Sequence, residues 1–155
     1  MTFRIHALAA DQFSPLFAMD DTALAAANAR RMIVDVDPGY PCRVSLEDGR
    51  IGETVILVNH VSMSAATPYR ASHAVYIREN AVSAEPRPGK LPVALARRLL
   101  SLRAFDGAGM LRCADVAEGD AVPAMIEEML ADPAVAEIHL HHARQGCYAA
   151  RATRA

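Results

Sequence analysis

Three of the six histidines and one of the three cysteines lie within nine residues, His139-Leu140-His141-His142-Ala143-Arg144-Gln145-Gly146-Cys147. A thiol beside an imidazole can become a nucleophile, because the imidazole takes the proton and its charged form stabilises the thiolate. Cys147 is therefore a candidate nucleophile or ligand, with His141 as its candidate base. A second stretch, Pro38-Gly39-Tyr40-Pro41-Cys42-Arg43, combines two prolines and a glycine into rigid turn chemistry that can present a thiol and a guanidinium. Cys42 joins the catalytic candidates, and Arg43, Tyr40, His139 and Arg103 are candidate ligand-binding residues. The chemistry implied is recognition of a small anionic ligand, since arginine in or beside a strand needs solvent, a carboxylate or a ligand anion.

Each of these residues also has a plainer reading. Cys147 can be a small buried side chain, and the histidines can lie on a solvated sheet face or pack against a helix. A Pro-Gly turn can merely set chain direction, and arginines such as Arg70, Arg78, Arg103 and Arg151 can pair with Asp35, Asp37, Glu47 and Glu53. Cys113 reads most simply as structural. A metal site would need three or four converging ligands. Cys42, His60, His73, His139, His141, His142 and Cys147 are numerous enough, but no Cys-x-x-Cys or His-Glu-x-x-His spacing occurs, so no metal residue is assigned. Gly-x-Ser-x-Gly, phosphate-binding and dinucleotide-binding signatures are absent, and no cofactor is implied.

The elements that must position these side chains follow from periodicity. The most strand-like run is Thr54 to Val61, with Ala74 to Arg78 as a neighbour; Phe3 to Leu8, Met32 to Val36 and Cys42 to Leu46 also have strand composition. Ser14-Pro15 and Asp20 or Asp21 mark helix starts, the latter for a run from Thr22 to Ala29. Val93 to Leu100 is helical in composition. Asp120 precedes the clearest amphipathic helix, in which Val122, Met125, Ile126, Met129 and Leu130 recur at three- and four-residue spacing. Ser101 to Phe105 and Met110 to Val116 read as a hairpin, and Glu79 to Pro92 as an exposed loop or lid.

The chain should close with a β-hairpin of Val135 to His142 and Cys147 to Thr153. Alternation then sends Ile138 and Leu140 to the core and His139 and His141 to the opposite face. A four-residue turn pairs Cys147 with His142; one residue more pairs it with His141. The expected fold is α+β, a single domain over residues 1–155, with a mixed, mostly antiparallel sheet and about three helices.

At 155 residues and 52% hydrophobic content the chain can bury a core without disulfides or metal. No long apolar span or signal-like start is present, and three unpaired cysteines suit a reducing compartment, so the expected location is the cytoplasm. A net charge of −2 and few stacking aromatics argue against nucleic acid or membrane as partner. The acidic stretch from Val116 to Glu137 and the basic one from Ile138 to Ala155 can neutralise each other.

The segment Pro38-Gly39-Tyr40-Pro41-Cys42-Arg43-Val44-Ser45-Leu46, the following Gly52-Glu53, the run Leu102-Arg103-Ala104-Phe105-Asp106 and the terminal His-x-His-x-Ala-x-x-Gly-Cys resemble the bacterial family DUF1203. The resemblance covers nearly the whole chain and implies one domain, but no activity, because the family has no assigned function. Members often carry asparagine where this chain has His142, so the resemblance favours His139, His141 and Cys147 as shared residues. The leading expectation is a binding or catalytic pocket between the Pro41-Cys42-Arg43 turn and the terminal hairpin. The competing ones are a non-catalytic interaction module, with a homodimer among its forms, and a structural metal site.

Overall fold

The structure, a computed structural model, describes residues 1–155. Its strands are β1 (Phe3–His6), β2 (Ala29–Ile33), β3 (Thr54–Met63), β4 (Ala71–Arg78), β5 (Leu100–Phe105), β6 (Leu111–Ala117), β7 (Glu137–His142) and β8 (Tyr148–Arg154). The helices are α1 (Asp21–Ala26), α2 (Val93–Ala96) and α3 (Ala121–Leu130), joined by 3₁₀ turns at Ala10–Gln12 and Ser14–Ala18. The class is α+β, and the strands divide into two antiparallel sheets: five strands in the order β1-β8-β7-β5-β6, and three in the order β2-β3-β4. No helix is long and apolar enough to cross a membrane.

One face of the larger sheet carries Phe3, Ile5, Leu100, Leu102, Ile138 and Leu140, and α3 covers it with Val122, Ile126, Met129 and Leu130. Each such buried side chain contributes roughly 1.5–3 kcal/mol. Pro123 is tolerated in α3 because it stands in the first turn, where no amide has an intrahelical partner. Asp120 occupies the cap position but makes no side-chain capping bond, unlike Asp20, whose Oδ1 accepts from Ala23 N at 2.8 Å at the head of α1. At the other end of α3, Arg154 donates to the carbonyls of Leu130, Asp132 and Val135, anchoring the last strand to the helix terminus.

The smaller sheet packs Ile56, Val58, Val75 and Ile77 against Phe13, Leu24, Cys42 and Val44. The register pairs Ile56 with Ile77, Val58 with Val75 and His60 with His73, so the two histidines continue that same face. There it meets the helix-free face of the larger sheet. Both faces of β7 are consequently covered, and His139, His141 and His142 are all buried.

Several local expectations need correction. Cys42 to Leu46 is a tight loop, not a strand: Cys42 N bonds Glu47 O, Leu46 N bonds Cys42 O, and Leu46 takes a φ of 55°. Its only strand-type pairings are isolated bridges, Pro41 to Asp48 and Cys42 to Tyr76. Asn28, at φ 52°, ends the α1 region early, and the following strand begins at Ala29 rather than Met32. Ser14 opens a 3₁₀ turn without acting as its cap, and α2 stops at Ala96 because Leu100 already belongs to β5. Residues 79–92 are irregular, yet they are tied down: Gly89 N donates to Phe3 O, Ala84 N to Val44 O, and Ser83 Oγ accepts from Ala10 N.

In the terminal hairpin, Leu140 pairs with Ala150 while His141 pairs with Tyr148, leaving Ala149 as an extra residue. Ala149 and Ala150 both belong to the α3-side core, so this β-bulge resets the alternation of β8 before the turn. Beyond it, His142 N donates to Cys147 O at 2.9 Å. Cys147 therefore stands opposite His142, the shorter-turn alternative, and not opposite His141.

Candidate functional site

The helix-free face of the larger sheet carries a row of nitrogen bases. Register aligns Arg103 of β5 with His139 of β7, His139 with Arg151 of β8, and Arg151 with His6 of β1. Four such side chains abreast require an anion, and Glu137 supplies one. It accepts from His139 Nε2 at 2.8 Å and from Arg151 Nη1 at 3.1 Å. The His139 bond, with Arg151 adding to it, outweighs burial and holds the Glu137 carboxyl down at about 2.

His141 lies two residues along the same strand face. Its Nδ1 is 2.9 Å from the Gly146 carbonyl, which can only accept, so Nδ1 carries the proton and neutral His141 has a bare lone pair on Nε2. Burial is the main cause that pushes its pKa down to about 4, opposed by the Gly146 bond and assisted by Arg103, His73 and His139. His73 meets it edge to face at 4.8 Å, and Tyr148 packs against both His139 and His141 at 5.5 and 5.9 Å between ring centroids. His60 reaches the other side of Tyr148 at 6.0 Å.

Between the sheets a cavity of about 200 Å³ opens beside this cluster, lined by Arg103, His139, His141, Tyr69, Phe105, Met63, Leu111, Ser62, Ala71 and Ala114. Its wall is largely apolar. Arg103 forms no ion pair with any carboxylate; its only side-chain contact of hydrogen-bond length is a long one, 3.4 Å, to Ser101 Oγ. A guanidinium that lines a cavity without a counter-ion is the feature an anionic ligand would satisfy.

The remaining candidates are elsewhere. Cys42 is buried, and its sulfur accepts from the amides of Ser45 at 3.4 Å and Arg78 at 3.3 Å. Tyr40 packs on Tyr76 and donates to Asp35 Oδ1 at 2.7 Å. Arg43, 2% exposed, donates through Nε to Tyr148 O at 2.8 Å and through Nη1 to Pro41 O at 2.5 Å. It is turned inward between the loop and the hairpin. Burial lowers its pKa to about 10, leaving it charged at neutral pH, and the Tyr148 carbonyl it bonds belongs to the residue after Cys147.

The proposed union of Cys42, Arg43, His141 and Cys147 in one pocket is therefore not what the fold builds. Cys147 stands opposite His142, whose side chain leaves the other face of β7 from that of His141, so His141 and Cys147 cannot act as a base–nucleophile pair. Arg103, His139 and His141 do share one cavity. No three His, Cys, Asp or Glu side chains are grouped so as to hold a metal ion.

A family model described as "Protein of unknown function (DUF1203)" matches residues 39–154. The chain belongs to the DUF1203 family. No curated protein and no solved structure matches it. The DUF1203 match spans every residue lining the inter-sheet cavity, whereas β1, both 3₁₀ turns, α1 and β2 lie before it.

Several participants escape the sequence reading. Glu137 was legible through period two, since a carboxylate two residues before His139 must share its face in a strand. His73, Tyr148, Tyr69 and Phe105 become neighbours only through the meeting of two sheets, for which no local signal exists.

Proposed function

We propose that this DUF1203 protein binds a small hydroxy acid in the inter-sheet cavity, carboxylate on Arg103 and hydroxyl on His141. The observation that carries the reading is the unpaired Arg103 guanidinium beside a neutral imidazole whose Nε2 can only accept. The two groups ask for different things: an anion and a hydrogen-bond donor. A hydroxyl satisfies the second demand better than an ammonium, because Arg103 and Arg151 make the surroundings cationic and Glu137 is already engaged. Met63, Phe105 and Leu111 would contact the hydrocarbon part. The volume, about 200 Å³, lies below the range of roughly 300–1,000 Å³ typical of drug-sized ligands.

Binding rather than proton transfer is the role supported, because an imidazole held near pKa 4 is a poor general base at neutral pH. The three free cysteines support a reducing, cytoplasmic setting, and the net charge of −2 supports a small anion over a nucleic acid as partner.

The test is thermal unfolding with a panel of short α-hydroxy acids, their deoxy counterparts and the matching amino acids. At a hundredfold excess over Kd the fitting ligand adds about 2.7 kcal/mol of stability. We expect hydroxy acids to raise the midpoint, deoxy acids to do so less, and Arg103→Met to abolish the effect. Equal shifts in the wild type and in Arg103→Met, or none with any hydroxy acid, would refute the reading.

A further inference from the structure

The face of β7 that looks away from the inter-sheet cavity holds a second chemical grouping. His142 is 4% exposed, and neither ring nitrogen has a hydrogen-bond partner. Burial, with Arg43, Arg98 and His141 adding to it, pushes its pKa to about 3, so the ring is neutral and carries one unused N–H donor. Its cross-strand neighbour is Cys147, which is partly exposed, on the same face.

Arg43 closes the group from the loop side. It is a buried cation with no carboxylate in ion-pair range; two of its donors go to backbone carbonyls, one of them that of Tyr148, the residue after Cys147. Arg98, the other cation near His142, is already neutralised by Asp48 at 2.5 Å, and Asp48 is shared with Arg97. Arg144, exposed on the hairpin turn three residues before Cys147, has no ion pair. A buried guanidinium lacking a counter-ion and an orphaned imidazole N–H thus flank a partly exposed thiol, and both favour an anionic group bound beside it.

We infer that Cys147 is a thiol–disulfide exchange site for small anionic disulfides. Cys147 loses its proton to solvent, and its sulfur attacks one sulfur of R–S–S–R. A bond forms between Cys147 Sγ and that sulfur while the original S–S bond breaks, and the departing R–S⁻ takes a proton from solvent. Cys147 is oxidised and one half of the disulfide is reduced by the same two electrons, so no further oxidant is needed. Arg43 holds the developing charge, the His142 N–H offers a second donor, and Arg144 biases the entrance toward anionic R groups. The site lies across the sheet from the hydroxy-acid cavity and does not depend on it.

Cys113 is the internal control, being exposed on the edge strand β6, whereas Cys147 is only partly exposed. The full chain is treated with oxidised glutathione or with cystamine, an anionic and a cationic disulfide, and modification at each cysteine is timed by peptide mass spectrometry. Exposure alone predicts faster reaction at Cys113. The inference predicts that Cys147 forms the glutathione adduct at least about tenfold faster than Cys113 and prefers glutathione over cystamine, because Arg43 and Arg144 draw an anionic reagent to this thiol. Reaction at Cys147 no faster than at Cys113, or equal rates with the two reagents, overturns it.

Discussion

The ring of His73 on β4 stands edge to face on that of His141 on β7, with centroids 4.8 Å apart, and this contact joins the two sheets. Neither ring tolerates a proton well: burial lowers the pKa of both, and nearby Arg103 lowers each further. His73 Nε2 is buried and unpartnered. The join between the sheets is therefore built from imidazoles in their neutral form, and acid acts directly on it.

Stability should fall as pH drops below neutrality. His141 and His142 have folded pKa values of about 4 and about 3, both below the unfolded value near 6.5, so the unfolded chain binds protons first. Their contribution is complete above pH ~6.5 and lost progressively toward the folded values, on the order of 3 kcal/mol for His141 and 5 kcal/mol for His142. Glu137 extends the loss to lower pH, because its stabilising ionised form is lost between ~4.3 and about 2. Urea midpoints at pH 7.5, 6 and 4.5 should decline in that order; a constant midpoint would contradict the assignment.

Replacing His142 by leucine should make the protein more stable, by ~1–2 kcal/mol at pH 7.5, because two buried ring nitrogens without partners are removed. The gain should be larger at pH 5, where the wild type is losing stability to protonation of the unfolded chain. Urea unfolding at the two pH values measures both effects.

Arg43→Met should be costly despite removing a buried charge. The Tyr148 and Pro41 carbonyls lose charge-assisted donors, and the tie between the loop at 40–48 and the terminal hairpin is cut. A loss of ~2 kcal/mol or more in urea unfolding is expected. Arg43→Lys should recover only part of it, since an ammonium cannot reproduce the forked donor geometry.

Arg78 holds two carboxylates. It meets Glu53 through two bonds of 2.8 Å and Glu47 at 2.9 Å, while Arg97 touches Asp48 only at 3.4 Å. Arg78→Met should therefore cost ~1 kcal/mol or more, whereas Arg97→Met should stay within ~0.5 kcal/mol, because Arg97 is itself exposed and Asp48 keeps its closer partner Arg98. Equal effects of the two replacements on the midpoint would count against this ranking.

What the chain discloses locally, the fold follows. The spacing of Val122, Ile126, Met129 and Leu130 marks the buried side of α3, and the alternation around Leu140 sorts Ile138 from His139 and His141. Boundaries failed where one backbone dihedral decides, as at Asn28 and Leu46, whose left-handed conformations no hydropathy pattern announces. The inter-sheet cavity lay further out of reach. Its Met63 and Tyr69 are some 35 to 80 residues from Arg103, His139 and His141, and only the packing of one sheet on another brings them together.

Ala149 carries no functional group, yet it marks where the last strand holds one residue more than its partner. It opposes no residue of β7: Leu140 pairs with Ala150, His141 with Tyr148, and His142 N meets Cys147 O. A chain lacking that alanine could keep every one of these pairings, so the thiol and the imidazole at 141 are held on opposite sides of the sheet by the regular alternation of β7 itself, in which His141 and His142 face apart. The bulge is a point of slack, where the last strand can gain or lose a residue without moving a side chain from one side of the sheet to the other.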